Sequence, residues 1–283
     1  MPSTIGLLHP GEMGTAVGAA ACSAGNRVLW TSAGRSPKTR GRAATAGFED
    51  AGSLADLVAQ SHVILSVCPP HGALDLARDV AALNFRGLFV DANAISPTTV
   101  REVQGIVESA GASFVDGGII GLPPTAPGAT RLYLSGPRAA AAAALFAGSL
   151  FEAIVIPGEP GAASALKLSY AAWNKIGAAL LLEVRSFARA EGVEEALIAE
   201  WKLSQPEVPK RFAVASRNAG KAWRFVGEME EIAAAFEAAA LPGDFPLAAR
   251  GIYALLAPFK DQPAPAPEEA ADFLRRTPIP IAQ

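Results

Sequence analysis

The chain has 283 residues, enough for about two domains of ordinary size. Hydrophobic residues make up 51% and charged residues 18% of it, which excludes a disordered chain. Lys and Arg number 24 against 27 Asp and Glu, a net charge of -3 that gives nucleic acid or a membrane surface no electrostatic footing. Cys22 and Cys68 are too few for a disulfide framework, and the three His lack HExxH spacing. Reduced thiols and a cytoplasmic location are therefore expected, and no metal. Val17 to Cys22 imitates a lipoprotein cleavage site, but no Lys or Arg precedes it and Glu12 interrupts the apolar run, so it does not read as a signal peptide. No stretch reaches the ~18 uninterrupted apolar residues of a membrane span.

In chain order, Thr4 to Leu8 reads as a strand, Met13 to Ala24 as a helix, Arg27 to Trp30 as a strand and Pro37 to Ala46 as a helix. Ser53 to Asp56 opens a short helix with a capping-box-like spacing. Val63 to Val67 is a continuous apolar strand stopped by Pro69 and Pro70, and Leu88 to Val90 is another, ending at Asp91. Ser96 and Pro97 open a helix to Gly111, with Ser at the cap and Pro in the first turn. Ser113 to Asp116, Arg131 to Ser135 and Ile154 to Ile156 follow as strands. Strands alternating with helices of this length predict βαβ units and a parallel sheet. After Gly158-Glu159-Pro160-Gly161 no strand follows. Ala162 to Ala190 reads as one long helix, with further helices over Glu194 to Lys202, Phe225 to Ala240 and Leu247 to Leu256, and a stiff spacer over Pro263 to Pro267. The expected fold is an α/β Rossmann-type domain over 1–158 and an all-α domain over 159–283, joined by the long helix.

The first strand runs into His9-Pro10-Gly11-Glu12-Met13-Gly14. In the dinucleotide fingerprint GxGxxG, Gly11 and Gly14 take the second and third glycine positions, and His9 replaces the first. The helix N-terminus there offers free N–H groups and a positive dipole end to a pyrophosphate. The end of the second strand decides between a 2'-hydroxyl, which wants an acid, and a 2'-phosphate, which wants Arg. The segment from Thr31 to Arg40 holds Arg35, Ser36, Lys38 and Arg40 and no Asp or Glu, so NADP is expected over NAD.

These residues resemble the opening of the β-hydroxyacid dehydrogenase superfamily, which includes 6-phosphogluconate and 3-hydroxyisobutyrate dehydrogenases and the imine reductases. The resemblance continues in order. Val63 to Pro69 is similar to the family strand beside the nicotinamide, which places Cys68 and Pro69 against the cofactor. Asp91-Ala92-Asn93-Ala94-Ile95-Ser96-Pro97 is similar to the family's Asp-x-Ser-Thr-x-x-Pro segment, with Asn93 in place of the Ser. Asp116 to Pro124 resembles the substrate loop in its imine-reductase form, and Gly161 to Lys167 the start of the interdomain helix that carries the catalytic Lys. Ala222-Trp223-Arg224 and Gly227 to Glu231 look like marks of a bacterial subgroup without a settled substrate.

What the resemblance implies is an NADP-dependent oxidoreductase, with Lys167 as general acid/base for a hydroxyl or keto carbon. Asn93, Asp116, Gly118 and Ile120 would line the substrate pocket. The family's carboxylate-binding Ser falls on Ile120 and its helix Asn on Ala171, which points to a small, rather apolar substrate; Asn174, two turns beyond Lys167, is a further substrate candidate. Imine reduction and a non-catalytic NADP-binding sensor are the alternatives. His71, after Pro70, is a weaker substrate-contact candidate, and Glu228, Glu230 and Glu231 read as a solvated face. The resemblance also implies a homodimer with interleaved helical domains, and Trp173, Trp201, Trp223 and Phe225 are expected as exposed apolar surface for it.

Overall fold

The computed structural model describes residues 2–260 and 262–277. By its internal contacts the chain divides into two compact units, Met1–Leu168 and Ser169–Gln283. The division falls inside the long helix and later than the expected boundary at residue 158, so the first two turns of that helix, Lys167 included, belong to the N-terminal unit.

That unit is built from β1 (Thr4–Leu8), α1 (Glu12–Ser23), β2 (Arg27–Trp30), α2 (Pro37–Thr45), β3 (Glu49–Asp50), α3 (Leu54–Gln60), β4 (Val63–Ser66), α4 (Ala73–Ala82), β5 (Leu88–Asp91), α5 (Pro97–Ser109), β6 (Ser113–Ile120), β7 (Thr130–Ser135), α6 (Ala139–Ala144) and β8 (Phe151–Val155), and takes in the start of α7 (Ala162–Ala190). Helix starts follow local chemistry. Ser36, Ser53 and Ser96 each cap a helix by accepting the backbone N–H three residues on, from Thr39, Asp56 and Thr99. Pro37 and Pro97 sit in first turns, where a missing N–H costs nothing.

The strands form one sheet in the order β3-β2-β1-β4-β5-β6-β7-β8. All neighbours are parallel except β6 and β7, which run antiparallel, with Asp116 opposite Ser135 and Ile120 opposite Arg131. The expected parallel sheet is corrected there: β7 and β8, parallel to each other, run antiparallel to the other strands. Each inner strand feeds two cores, as continuous apolar runs do when both faces are covered. Ile5, Leu7, Val63, Leu65 and Val90 pack on one face with Val17, Val28 and Trp30. Leu8, Ile64 and Phe89 pack on the other with Leu57, Val100 and Phe114. The strand order reverses between β1 and β4, which makes their C-terminal ends the crevice where such sheets bind ligands.

The C-terminal unit holds the rest of α7 with α8 (Glu194–Ser204), α9 (Val208–Arg217), α10 (Ala222–Ala238), α11 (Asp244–Leu255) and α12 (Pro267–Arg276). The spacer ends by placing Pro267 in the first turn of α12. Arg185, nearly buried on α7, pairs with Glu194 and with Glu268 of α12, and Arg189 pairs with Glu194 and Asp272. On the other side of α7, Tyr253 packs edge-on to Phe225 at 5.1 Å and donates to the Lys175 carbonyl at 2.7 Å. Phe225 is therefore core and not the exposed surface expected of it, and Trp201 packs on Phe212 at 5.3 Å. Trp173 and Trp223 are exposed.

Candidate functional site

The fingerprint turn leaves β1 at His9, whose φ of 66° lies in the left-handed region. That conformation is free for glycine and costs an L residue on the order of 1–2 kcal/mol. The side chain that bears this cost is held: His9 Nε2 lies 2.7 Å from a terminal guanidinium nitrogen of Arg35, in the segment after β2. Gly14 is required for a different reason. A Cβ there would stand 2.2 Å from the His9 carbonyl oxygen, so only glycine lets α1 start this close to the strand end. A Cβ on Gly11 would meet nothing within 4 Å, which leaves its backbone open to approach.

The first intrahelical bond of α1 runs from Thr15 N–H to the Gly11 carbonyl. The N–H groups of Glu12, Met13 and Gly14 precede it and form the free end of the helix. The Pro10 carbonyl is taken by the Thr15 hydroxyl at 3.1 Å and by Arg42 of α2 at 3.5 Å. Three buried nitrogens around this turn have no hydrogen-bond partner among the described residues: His9 Nδ1, Arg35 Nε and Arg42 Nε. Each orphaned donor costs about 1–3 kcal/mol. A polyanion in the turn would satisfy them, and the arrangement fits the pyrophosphate and adenosine end of a dinucleotide. A cavity of about 170 Å³ opens beside it, lined by His9, Pro10, Thr31, Arg35, Leu76 and, as its acidic group, Asp79, with other apolar side chains.

Burial, with Arg35 and then His71 contributing, pushes His9 down to about 4, so its imidazole is neutral at physiological pH. Ser36 caps α2, and Arg40 is exposed. The sequence shows no acid in the segment after β2, but the sheet brings one: Asp50, at the end of β3, accepts the N–H groups of Ser32 and Gly52. Hydrogen bonds from those residues hold it below the usual carboxylate range, and Arg40 adds to the effect.

At the ends of β4 and β5, Asn93 is fully engaged. Its oxygen accepts the Cys68 N–H at 2.6 Å, and its amide donates to Ser66 at 3.0 Å and Asp91 at 2.8 Å. Burial drives the Cys68 thiol up to about 12, with Asp91 next in effect, which rules out a thiolate there. Pro69 follows it, exposed.

Asp116 is completely buried. It accepts four hydrogen bonds: from the Ser135 hydroxyl at 3.1 Å, the Gly161 N–H at 2.8 Å, the Ser164 N–H at 3.0 Å and the Ser164 hydroxyl at 2.6 Å. It therefore caps the start of α7, a role its sequence context does not reveal. Two residues on, a Cβ at Gly118 would stand 2.5 Å from the Ala163 carbonyl oxygen and 3.0 Å from Lys167 Cβ. Glycine at this point seats the first turns of α7 on β6. Lys167 is half-buried, no carboxylate among the described residues forms an ion pair with it, and burial lowers its ammonium to about 8. Ile120 is buried at the end of β6. Asn174 is exposed on α7 in the other unit and donates to the Tyr170 carbonyl at 2.8 Å. The acidic cluster is spent on ion pairs, Glu228 with Lys175 and Glu230 with Arg250.

If Asp116 holds α7, Asp116→Ala strands several buried donors and should cost about 3 kcal/mol in urea unfolding, with Ser164→Ala costing about 1. An unchanged midpoint for Asp116→Ala would remove the clamp from this account.

The chain is 32% identical over 166 residues to an uncharacterized 28.5 kDa protein in the 7S RNA 5' region of Methanothermus fervidus; the match covers 58% of this chain and 63% of that one. A conserved protein of unknown function, whose structure resembles 3-hydroxyacid dehydrogenases, superposes with a TM-score of 0.72 at 27% identity, over 90% of this chain and 97% of its own. Mycobacterium tuberculosis 3-hydroxyisobutyrate dehydrogenase, solved with L-serine, gives 0.73 at 21% identity, over 97% and 100%. A model described as a domain of unknown function, DUF1932, matches residues 188–256. Residues 4–153, which contain the fingerprint turn and the sheet that presents it, match the NAD binding domain of 6-phosphogluconate dehydrogenase, and the chain belongs to that family.

Proposed function

We propose that the protein is an NADP-dependent oxidoreductase acting on the hydroxyl or keto carbon of a small, rather apolar substrate, with Lys167 as general acid/base. NADP(H), when bound, supplies or accepts the hydride. The observation that carries the reading is Lys167 itself: a half-buried amine near pKa 8, seated by Gly118 at the start of α7. At that pKa the ammonium can give a proton to a keto oxygen and the neutral amine can take one from a hydroxyl. Arg35, Ser36 and Arg40 support a 2'-phosphate, and Gly11 with the free end of α1 a pyrophosphate. Asn93 and Asp116 spend their polar atoms inside the protein, which leaves Ile120 and Gly118 to set the character of the pocket and supports an apolar substrate. Free Cys22 and Cys68, with no helix among the described residues long and apolar enough to cross a membrane, are compatible with the cytoplasm.

The test is a turnover panel of ketones, alcohols and imines. Ketone reduction should be level below pH 8 and fall above it, because the proton donor is the ammonium. Alcohol oxidation should rise through pH 8 to a plateau, because the acceptor is the neutral amine. Lys167→Met should lower both about 10²–10⁴-fold and abolish that limb, with NADPH binding within a few fold. Undiminished turnover of imines alone in Lys167→Met would favour imine reduction, and no turnover with any substrate would favour a sensor.

The helical unit also supports a homodimer. Tyr170, Trp173, Leu180 and Phe187 are each more than half exposed on α7. Their spacing of three and then seven residues puts them on one stripe of the helix, and an apolar stripe of this kind marks an interface. Sedimentation should report a dimer, and Leu180→Asp a folded monomer. A monomeric native protein would contradict this assembly.

A further inference from the structure

The fingerprint turn carries a histidine where a glycine would be free of strain, and that histidine touches one residue of the segment that meets the adenosine ribose. Resting on the NADP reading above, we propose that His9 is a positioning residue for cofactor selectivity: its imidazole holds the Arg35 guanidinium in place for the 2'-phosphate while leaving the guanidinium charge unspent.

Arg35 lies in a loop bent by Gly34, whose φ is 70°, and by a bond from its own N–H to the Ser32 carbonyl. Among the described residues, the Arg35 side chain is hydrogen-bonded to His9 and to no residue of its own loop. A glycine at position 9 would leave the guanidinium to sample many rotamers, and ordering it would then fall to the ligand. A carboxylate would fix it but cancel its charge, which the 2'-phosphate needs. A neutral imidazole accepts one N–H and does neither. His9 Nε2 is 2.7 Å from Arg35, and among the described residues no carboxylate pairs with Arg35. The neighbouring cation differs: Arg40 is exposed and feels Asp50. Arg35 is thus the cation that the turn itself aims.

The acceptor role fixes the tautomer. With Nε2 accepting from a guanidinium, which can only donate, the imidazole proton is on Nδ1. That buried N–H is one of the three without a partner. His9 and Arg35 also line the same cavity. A ligand there would meet the imidazole donor and the guanidinium as one unit, connected through the contact between them. His9 being neutral well above pH 4 keeps the acceptor intact across the physiological range.

The test is calorimetric binding of NADP+ and NAD+ to the native protein, His9→Gly, Arg35→Ala and the double variant. His9→Gly suits the left-handed backbone and removes only the imidazole. It should lower the NADP+/NAD+ affinity ratio about tenfold, the scale of a charge-assisted contact, while loss of the imidazole's own donor weakens both cofactors alike and cancels in the ratio. In the Arg35→Ala background the same change should move the ratio less than about twofold. His9→Asn also tolerates the backbone and keeps an acceptor on a shorter arm; it should fall between the native protein and His9→Gly, and it serves should His9→Gly fail to fold. An unchanged ratio in His9→Gly and His9→Asn, or an equal effect without Arg35, overturns the inference and leaves the NADP reading standing. A native protein that binds NAD+ as tightly as NADP+ overturns both.

Discussion

The carboxylate of Asp116 is the contact on which the chemistry of the N-terminal unit depends. It is buried with no ion-pair partner among the described residues and is made tolerable by four donors, two of them backbone N–H groups at the start of α7. An anion at a helix N-terminus also meets the positive end of the helix dipole. The result is that the first turn of α7 is held against β6. Gly118, two residues further along the strand, then allows the helix to seat closely enough for Lys167 to be desolvated. The depressed ammonium is a consequence of this seating and needs no neighbouring cation to explain it, since burial is its cause.

The neighbouring strand carries a second buried carboxyl. Asp91 lies directly opposite Asp116 in the β5–β6 register and accepts from the Asn93 N–H and side-chain amide. Burial pushes its carboxyl up to about 7, opposed by the Asn93 N–H and reinforced by Asp116. A carboxyl raised in the folded state favours folding most fully below its unfolded pKa and loses that contribution as pH rises through about 7. The fingerprint turn follows a related rule. Its cations are left with unsatisfied donors around an open backbone, which is unfavourable for the empty protein and favourable for an anion.

Much of this was readable from the sequence where the determining chemistry is local. The first βα turn is fixed by Gly11 and Gly14, the helix starts by Ser36, Ser53 and Ser96, and the buried strands by unbroken apolar runs. Other features depend on residues far apart. Asp116 finds its partners at Ser135, Gly161 and Ser164, so its capping role has no local signature. Asp50 sits on a two-residue strand that no periodicity marks, yet it joins the segment after β2. The alanines of α6 show no pattern. Pro267, which reads as the end of a stiff spacer, is a first-turn residue of α12. Strand β7 alternates buried Leu132 and Leu134 with Arg131 and Tyr133, but alternation does not state direction. Phe225 lay on an apolar stripe that pointed inward, toward Tyr253.

The seating of α7 makes Lys167 a proton carrier near neutrality. The most direct measurement is an NMR titration of the Lys167 side chain in the full-length protein, followed at 13Cε and assigned by its loss in Lys167→Met. The account predicts a midpoint about 8, well below the ordinary lysine value of 10.5. A midpoint at 10.5 would mean a solvated amine, and the acid/base role would have to be given up.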